Sequence, residues 1–113
     1  DLLDAGLVLP GKQGRPYDRF RGRIMFPLGD ERGRTLGFGA RAMGDEQPKY
    51  LNSPETALYH KSREIYGLYE ASASIREKHR AIVCEGYMDA LSFHARMAYF
   101  RSFATAAMRR RSR

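Results

Sequence analysis

One cysteine, Cys84, stands among the 113 residues. A single thiol excludes an internal disulfide and any zinc site built from several cysteines, which fits a reducing cytoplasm. The three histidines, His60, His79 and His94, fall in separate segments without ligand spacing, so they offer no metal site. Uninterrupted apolar runs reach only a few residues, too short to cross a bilayer. The opening DLLDAGLVLP carries two acids and no basic leader, unlike a secretory signal. The GFG at Gly37–Gly39 lacks the third glycine of a dinucleotide fingerprint and lies within a strand pattern. No Asp or Glu follows Asp89.

What is present is ordinary for a soluble globular chain: 42% hydrophobic and 29% charged residues, enough for one modest core. The net charge of +7 is concentrated at the end. Four arginines stand in the last five residues, RRRSR, and the rest of the chain carries 16 basic against 13 acidic side chains. A mildly basic body is weak support for a nucleic-acid partner by itself.

The pattern predicts a mixed fold, α+β passing into α/β. The first segment reads as the end of a helix followed by a Gly/Pro loop. Alternation of Ile24, Phe26 and Leu28, then of Leu36, Phe38 and Ala40 across the turn GDERG, predicts a β-hairpin. Ser53 before Pro54 and Glu55 predicts a helix start, with a hydroxyl cap and proline in the first turn. A second helix is expected over residues 63–78, where Ile65, Leu68, Tyr69, Ser72 and Ile75 share a face and Gly67 implies close packing. The apolar run RAIVC predicts a buried strand. A helix from about Tyr87 to Phe100 follows it, giving the first half of a βαβ crossover.

In open α/β sheets ligands bind beyond the carboxyl ends of the strands. Glu85 sits at such an end, and Asp89 falls in the first turn of the next helix. Two gathered carboxylates suit a hard cation such as Mg²⁺ or Mn²⁺. Acids also favour the first turn of any helix, and a strand-terminal Glu can simply be solvated, so both explanations stand. Arg19, Arg21 and Arg23 alternate through DRFRGR, Arg41 ends the second strand, and Lys49 and Lys61 bracket KYLNSPETALYHK. These cations suit phosphates, while a solvated strand face or surface salt bridges with Asp18, Asp30 and Glu31 is the commoner explanation for any single one of them. Tyr17, Phe20 and Tyr50 could stack on bases or serve packing. Cys84 reads as a core thiol.

The run from Tyr17 to Ala71, with PKYLNSPET and YGLYEA in that order, resembles the catalytic core of bacterial DNA primases of the DnaG type. The following IVCEGYMDAL is similar to the first motif of that family's Toprim module, a Rossmann-like fold. The resemblance covers residues 1–96 and divides the chain into an N-terminal core subdomain (1–78), the beginning of a truncated Toprim module (79–100), and an arginine-rich tail (101–113) expected to be disordered or aberrant.

The resemblance implies an RNA polymerase that makes short primers on single-stranded DNA from ribonucleoside triphosphates with Mg²⁺ or Mn²⁺, in the bacterial cytoplasm. It places Glu85 and Asp89 in the catalytic and metal-binding role. It places Arg19, Arg21, Arg41, Lys49, Asn52, Lys61 and Tyr87 around nucleotide and template. A replicative helicase would be engaged through a region absent here, and no membrane is involved. The family's zinc-binding domain has no counterpart in these residues, and neither do the D-x-D acids that complete its metal site. The isolated chain is therefore expected to be inactive. The alternatives are a single-stranded nucleic-acid or nucleotide-binding remnant without catalysis, and part of a phage-type primase-helicase.

Overall fold

The computed structural model describes residues 1–99 and 106–108. The chain divides into two compact units. One comprises Asp1–Pro27 with Leu36–His60, the other Leu28–Thr35 with the residues from Lys61 onward.

In the first unit β1 (Val8–Leu9) pairs antiparallel with β2 (Tyr17–Asp18), Val8 opposite Asp18 and Leu9 opposite Tyr17. A three-stranded sheet has the order β3 (Arg23–Gly29), β4 (Thr35–Ala42), β5 (Tyr50–Asn52), with β4 and β5 antiparallel. The expected hairpin is β3–β4, and Phe26 and Ala40 are buried in it as the alternation requires. Ile24, assigned to the same face, is exposed. The third strand, β5, lies in a segment whose polar residues and proline read as loop. Arg41 stands opposite Tyr50, and Gly39 opposite Asn52.

Two expectations in this unit fail. The first residues make a single turn, in which the Ala5 N–H donates to the Asp1 carbonyl, and no helix precedes the loop. Ser53 caps no helix: residues 53–58 hold none. Its buried hydroxyl accepts the Phe38 N–H at 2.9 Å, while its own N–H donates to the Phe38 carbonyl at 2.8 Å. The serine closes the edge of β4 instead of opening a helix. Pro54 supplies no donor there, and its ring lies where a side chain on Gly6 (φ +66°) would stand. Local capping chemistry lost to a tertiary strand partner.

In the second unit the tip of the hairpin is an Asp-centred turn. Asp30 Oδ1 accepts the N–H groups of Arg32 and Arg34, each at 2.9 Å, and Oδ2 accepts Arg34 Nε at 2.7 Å. Gly33 takes φ +76°, with the Tyr69 ring lying over it. α1 spans Leu68–Lys78. It starts five residues later than expected, because Gly67 stands at φ +78°, a left-handed conformation that ends helical continuity instead of packing inside it. The face it buries is centred on Ala71, flanked by half-buried Leu68, Ser72 and Ile75, and Tyr69 points outward.

β6 (Ile82–Cys84) and α2 (Tyr87–Tyr99) lie where the sequence put them. Val83 is exposed, so the strand is not buried on both sides. β7 (Ala106–Met108) runs parallel to β6, with Ile82 opposite Ala106, and completes a β–α–β unit. These three residues fall within the segment 101–113 expected to be disordered or aberrant; the rest of that segment, 101–105 and 109–113, lies outside the described residues. No helix among the described residues is long and apolar enough to cross a membrane.

Candidate functional site

The first unit holds an open groove of about 520 Å³, lined in part by Tyr17, Arg19, Arg21, Arg23, Glu46 and Pro48. Its arginines are fixed in different ways. Arg19 donates from Nε and Nη2 to the Asn52 carbonyl at 3.3 and 3.0 Å, a fork that ties the segment after β2 to the end of β5. Arg23 donates from Nη1 to the Pro48 carbonyl at 2.6 Å. Arg21 makes neither bond. Its guanidinium carbon lies 4.8 Å from the centroid of the Tyr17 ring, and both residues are exposed. A guanidinium stacked on an aromatic face keeps its in-plane donors for an anion, and the pair offers a flat surface to a base. Two arginines build the wall and one presents charge.

Asn52 is buried, at 7% exposure, so its contribution runs through the carbonyl that Arg19 holds. Lys49 is exposed, and its carbonyl accepts the Ala42 N–H at 2.8 Å. Arg41, on β4, has a buried Nε with no hydrogen-bond partner among the described residues, where buried polar groups are ordinarily paired. Lys61 belongs to the second unit and is exposed. The expected basic set is therefore not one cluster. Arg19 and Arg21 line the groove, Arg19 being held by the Asn52 carbonyl, and Arg41 and Lys49 lie on the adjoining strand and loop. Arg23 completes the groove, as the alternation of DRFRGR could show. Glu46 and Pro48 gave no signal in the sequence.

The second unit carries the acids. Glu85 follows the last residue of β6 and is exposed; Asp89 lies in the first turn of α2 and is also exposed. The turn between them is tight: a side chain on Gly86 would meet the Asp89 carboxylate at 2.8 Å. Asp89 shares a cavity of about 490 Å³ with Cys84, Ser92, Phe93 and Arg96. Burial pushes the Cys84 thiol above its ordinary pKa, and the Asp89 carboxylate adds to the shift. The thiol is half-buried at a cavity wall, less enclosed than a core residue. Tyr87 is 4% exposed, with its ring edge-on to Tyr66 at 5.1 Å. Its ring is thus engaged by a neighbour and almost wholly buried. Burial also raises the Tyr66 hydroxyl pKa, followed by the nearby Glu70 carboxylate.

Glu85 and Asp89 are hard oxygen donors of the kind Mg²⁺ and Mn²⁺ take. Their number falls short: no group of three or more His, Cys, Asp or Glu side chains that could hold a metal ion occurs among the described residues. The chemistry of the donors fits a divalent cation, and two carboxylates alone are fewer than an all-protein site uses.

Residues 1–72 match the family described as the DNA primase catalytic core, N-terminal domain. A DNA primase of Escherichia coli strain K12 is 56% identical over 91 residues, a stretch covering 80% of this chain and 16% of that protein. The chain thus spans about a sixth of the length of such relatives. The solved structure of a DnaG primase catalytic domain bound to single-stranded DNA superposes with a TM-score of 0.83 at 47% identity. It covers 98% of this chain and 34% of the other. The RNA polymerase domain of Mycobacterium tuberculosis primase DnaG, solved with double-stranded DNA, gives a TM-score of 0.82 at 38% identity, covering 96% and 33% respectively.

Proposed function

Because the chain belongs to the DNA primase catalytic-core family, we propose that it serves DNA-templated synthesis of short RNA primers on single-stranded DNA, as part of a larger primase. The observation that carries this reading is the groove of Arg19, Arg21 and Arg23 beside Tyr17. Phosphoryl transfer demands little covalent chemistry from a protein and much positioning of cations around phosphates. In this reading Arg21 and Lys49 meet the phosphates of template or nucleotide, Tyr17 offers a stacking face, and Arg19 with Asn52 holds the wall in place. Arg41 contributes an unsatisfied donor from β4, and Lys61 a further cation. Tyr87 acts from beneath as a support.

Residues 1–78 form the N-terminal subdomain of the core, and residues 79–100 open a Toprim module whose first motif supplies Glu85 and Asp89. Those acids contribute part of a divalent-cation site. Ribonucleoside triphosphates, a replicative helicase engaged elsewhere in the larger protein, and a cytoplasmic setting complete the assignment.

A second reading has a specific observation behind it. No group of three or more side chains that could hold a metal ion occurs among the described residues, which favours a chain that binds single-stranded nucleic acid without itself extending a primer. Incorporation of labelled ribonucleotides on single-stranded DNA, with Mg²⁺ or Mn²⁺, separates the two. The chain alone is expected to bind DNA in a salt-dependent way and to yield no primer. Product that disappears in Glu85→Gln would overturn the expected inactivity, and absence of salt-dependent binding would overturn the groove assignment.

A further inference from the structure

Glu46 is the one carboxylate among the described side chains lining the arginine groove. Its placement is built, not incidental. Oε2 accepts the Gly44 N–H at 3.0 Å, and Oε1 lies 3.1 Å from the point where a side chain on Gly22 would begin. Gly22 separates Arg21 from Arg23, and its carbonyl accepts the Met43 N–H at 3.1 Å. The 43–48 loop is thus fastened to the arginine segment at Gly22 and, through Pro48, at Arg23. Although Glu46 stands in a groove with three guanidiniums, no ion pair within 4 Å joins it to any of them among the described residues. Its charge is left facing the groove without being neutralised by a close partner.

We infer that Glu46 is a restraining charge, which lowers the affinity of the groove for nucleic-acid phosphates and so keeps a bound strand able to move through it. The inference rests on the reading that this groove takes nucleic acid. A phosphate entering the groove meets three cations that attract it and one fixed anion that repels it. In a water-filled groove that repulsion is modest and reaches about one Debye length, ~10 Å at 0.1 M salt. Removing the charge is therefore expected to tighten binding about two- to fivefold at low salt. Glutamine keeps an oxygen for the Gly44 N–H, so Glu46→Gln removes the charge and leaves the loop fastened. A purely structural Glu46 would be indifferent to glutamine and sensitive to alanine.

The test is anisotropy of a fluorescein-labelled single-stranded oligothymidylate titrated with the whole chain and its variants, between about 50 and 200 mM salt. Arg21→Gln is expected to weaken binding, while Glu46→Gln and Glu46→Asn both tighten it, by a factor that fades as salt rises. Far-UV circular dichroism checks each variant, and two neutral replacements guard against misfolding of one. If Arg21→Gln weakens binding while both neutral variants leave it unchanged or weaken it, the restraining charge is refuted and the groove assignment survives. If Arg21→Gln has no effect, the groove assignment fails, and the restraining charge with it.

Discussion

Replacing Ser53 by alanine tests the point on which local sequence and tertiary structure disagree most. Ser53 is completely buried, and its hydroxyl accepts the Phe38 N–H at 2.9 Å across the edge of β4. Alanine removes one oxygen and leaves almost no cavity, so the loss is dominated by a strand N–H stripped of its acceptor. An unsatisfied, largely buried donor costs about 1–3 kcal/mol. The Ser53 N–H still donates to the Phe38 carbonyl, which keeps the strands together and puts the expectation near the lower half of that range, ~1–2 kcal/mol. Urea unfolding followed by far-UV circular dichroism should show a lower midpoint at unchanged slope. For a chain near 100 residues the melting temperature should fall by about 4 °C or more per kcal/mol. Ser72→Ala is the matched control: Ser72 is half-buried, but the bond from its hydroxyl to the Tyr69 carbonyl is solvent-exposed, and losing a bond that water can replace is expected to cost about 0.5 kcal/mol or less. A Ser53→Ala loss no larger than the control would refute the sheet-edge role. A selective loss of helical signal in Ser53→Ala would restore the capping role that the sequence suggested.

Two further outcomes can be measured independently. Asp30 is held below the ordinary carboxylate range, chiefly by the Arg34 N–H and then by the Arg34 guanidinium, with burial opposing. With the folded pKa depressed, the unfolded chain binds the proton more readily. The stabilisation is then present above the ordinary carboxyl value of 3.8 and lost as pH falls through the lower folded value. The stability difference between the parent and Asp30→Asn should shrink below about pH 4, and a difference constant down to pH 2 would contradict it. Gly33 sits at φ +76°, and an added Cβ would approach the Tyr69 ring at 2.8 Å. Gly33→Ala should therefore destabilise by about 1–3 kcal/mol in chemical denaturation; a loss under ~0.5 kcal/mol, as for an ordinary surface change, would show that the turn relaxes freely.

The legible parts of the fold are those whose signal is local. Alternation fixed the hairpin, Asp30 and Gly33 marked its turn, and the apolar run ending at Cys84 marked β6. The illegible parts depend on partners far away in the chain. β5 reads as loop because its pairing with β4 substitutes for the alternation it lacks. Ser53 and Pro54 carry a cap signature that a strand edge outcompetes. Gly67 reads as a packing site within a helix because the sequence does not reveal its sign of φ. At the site, residue types were readable and their duties were not. Arg19, Arg21 and Arg23 look equivalent in DRFRGR, yet one grips Asn52, one grips Pro48 and one rests on Tyr17.

By itself the sequence determined the family, because PKYLNSPET, YGLYEA and EGYMD in that order carry far more information than any propensity, and it determined where the acids lie along the chain. The tertiary structure alone decided which cations are fastened to backbone carbonyls and which is presented, and that Glu46 stands in their groove. The physical reason is that charge and residue type are properties of the chain, whereas the partner that fixes a guanidinium or leaves it exposed is chosen only when distant segments meet.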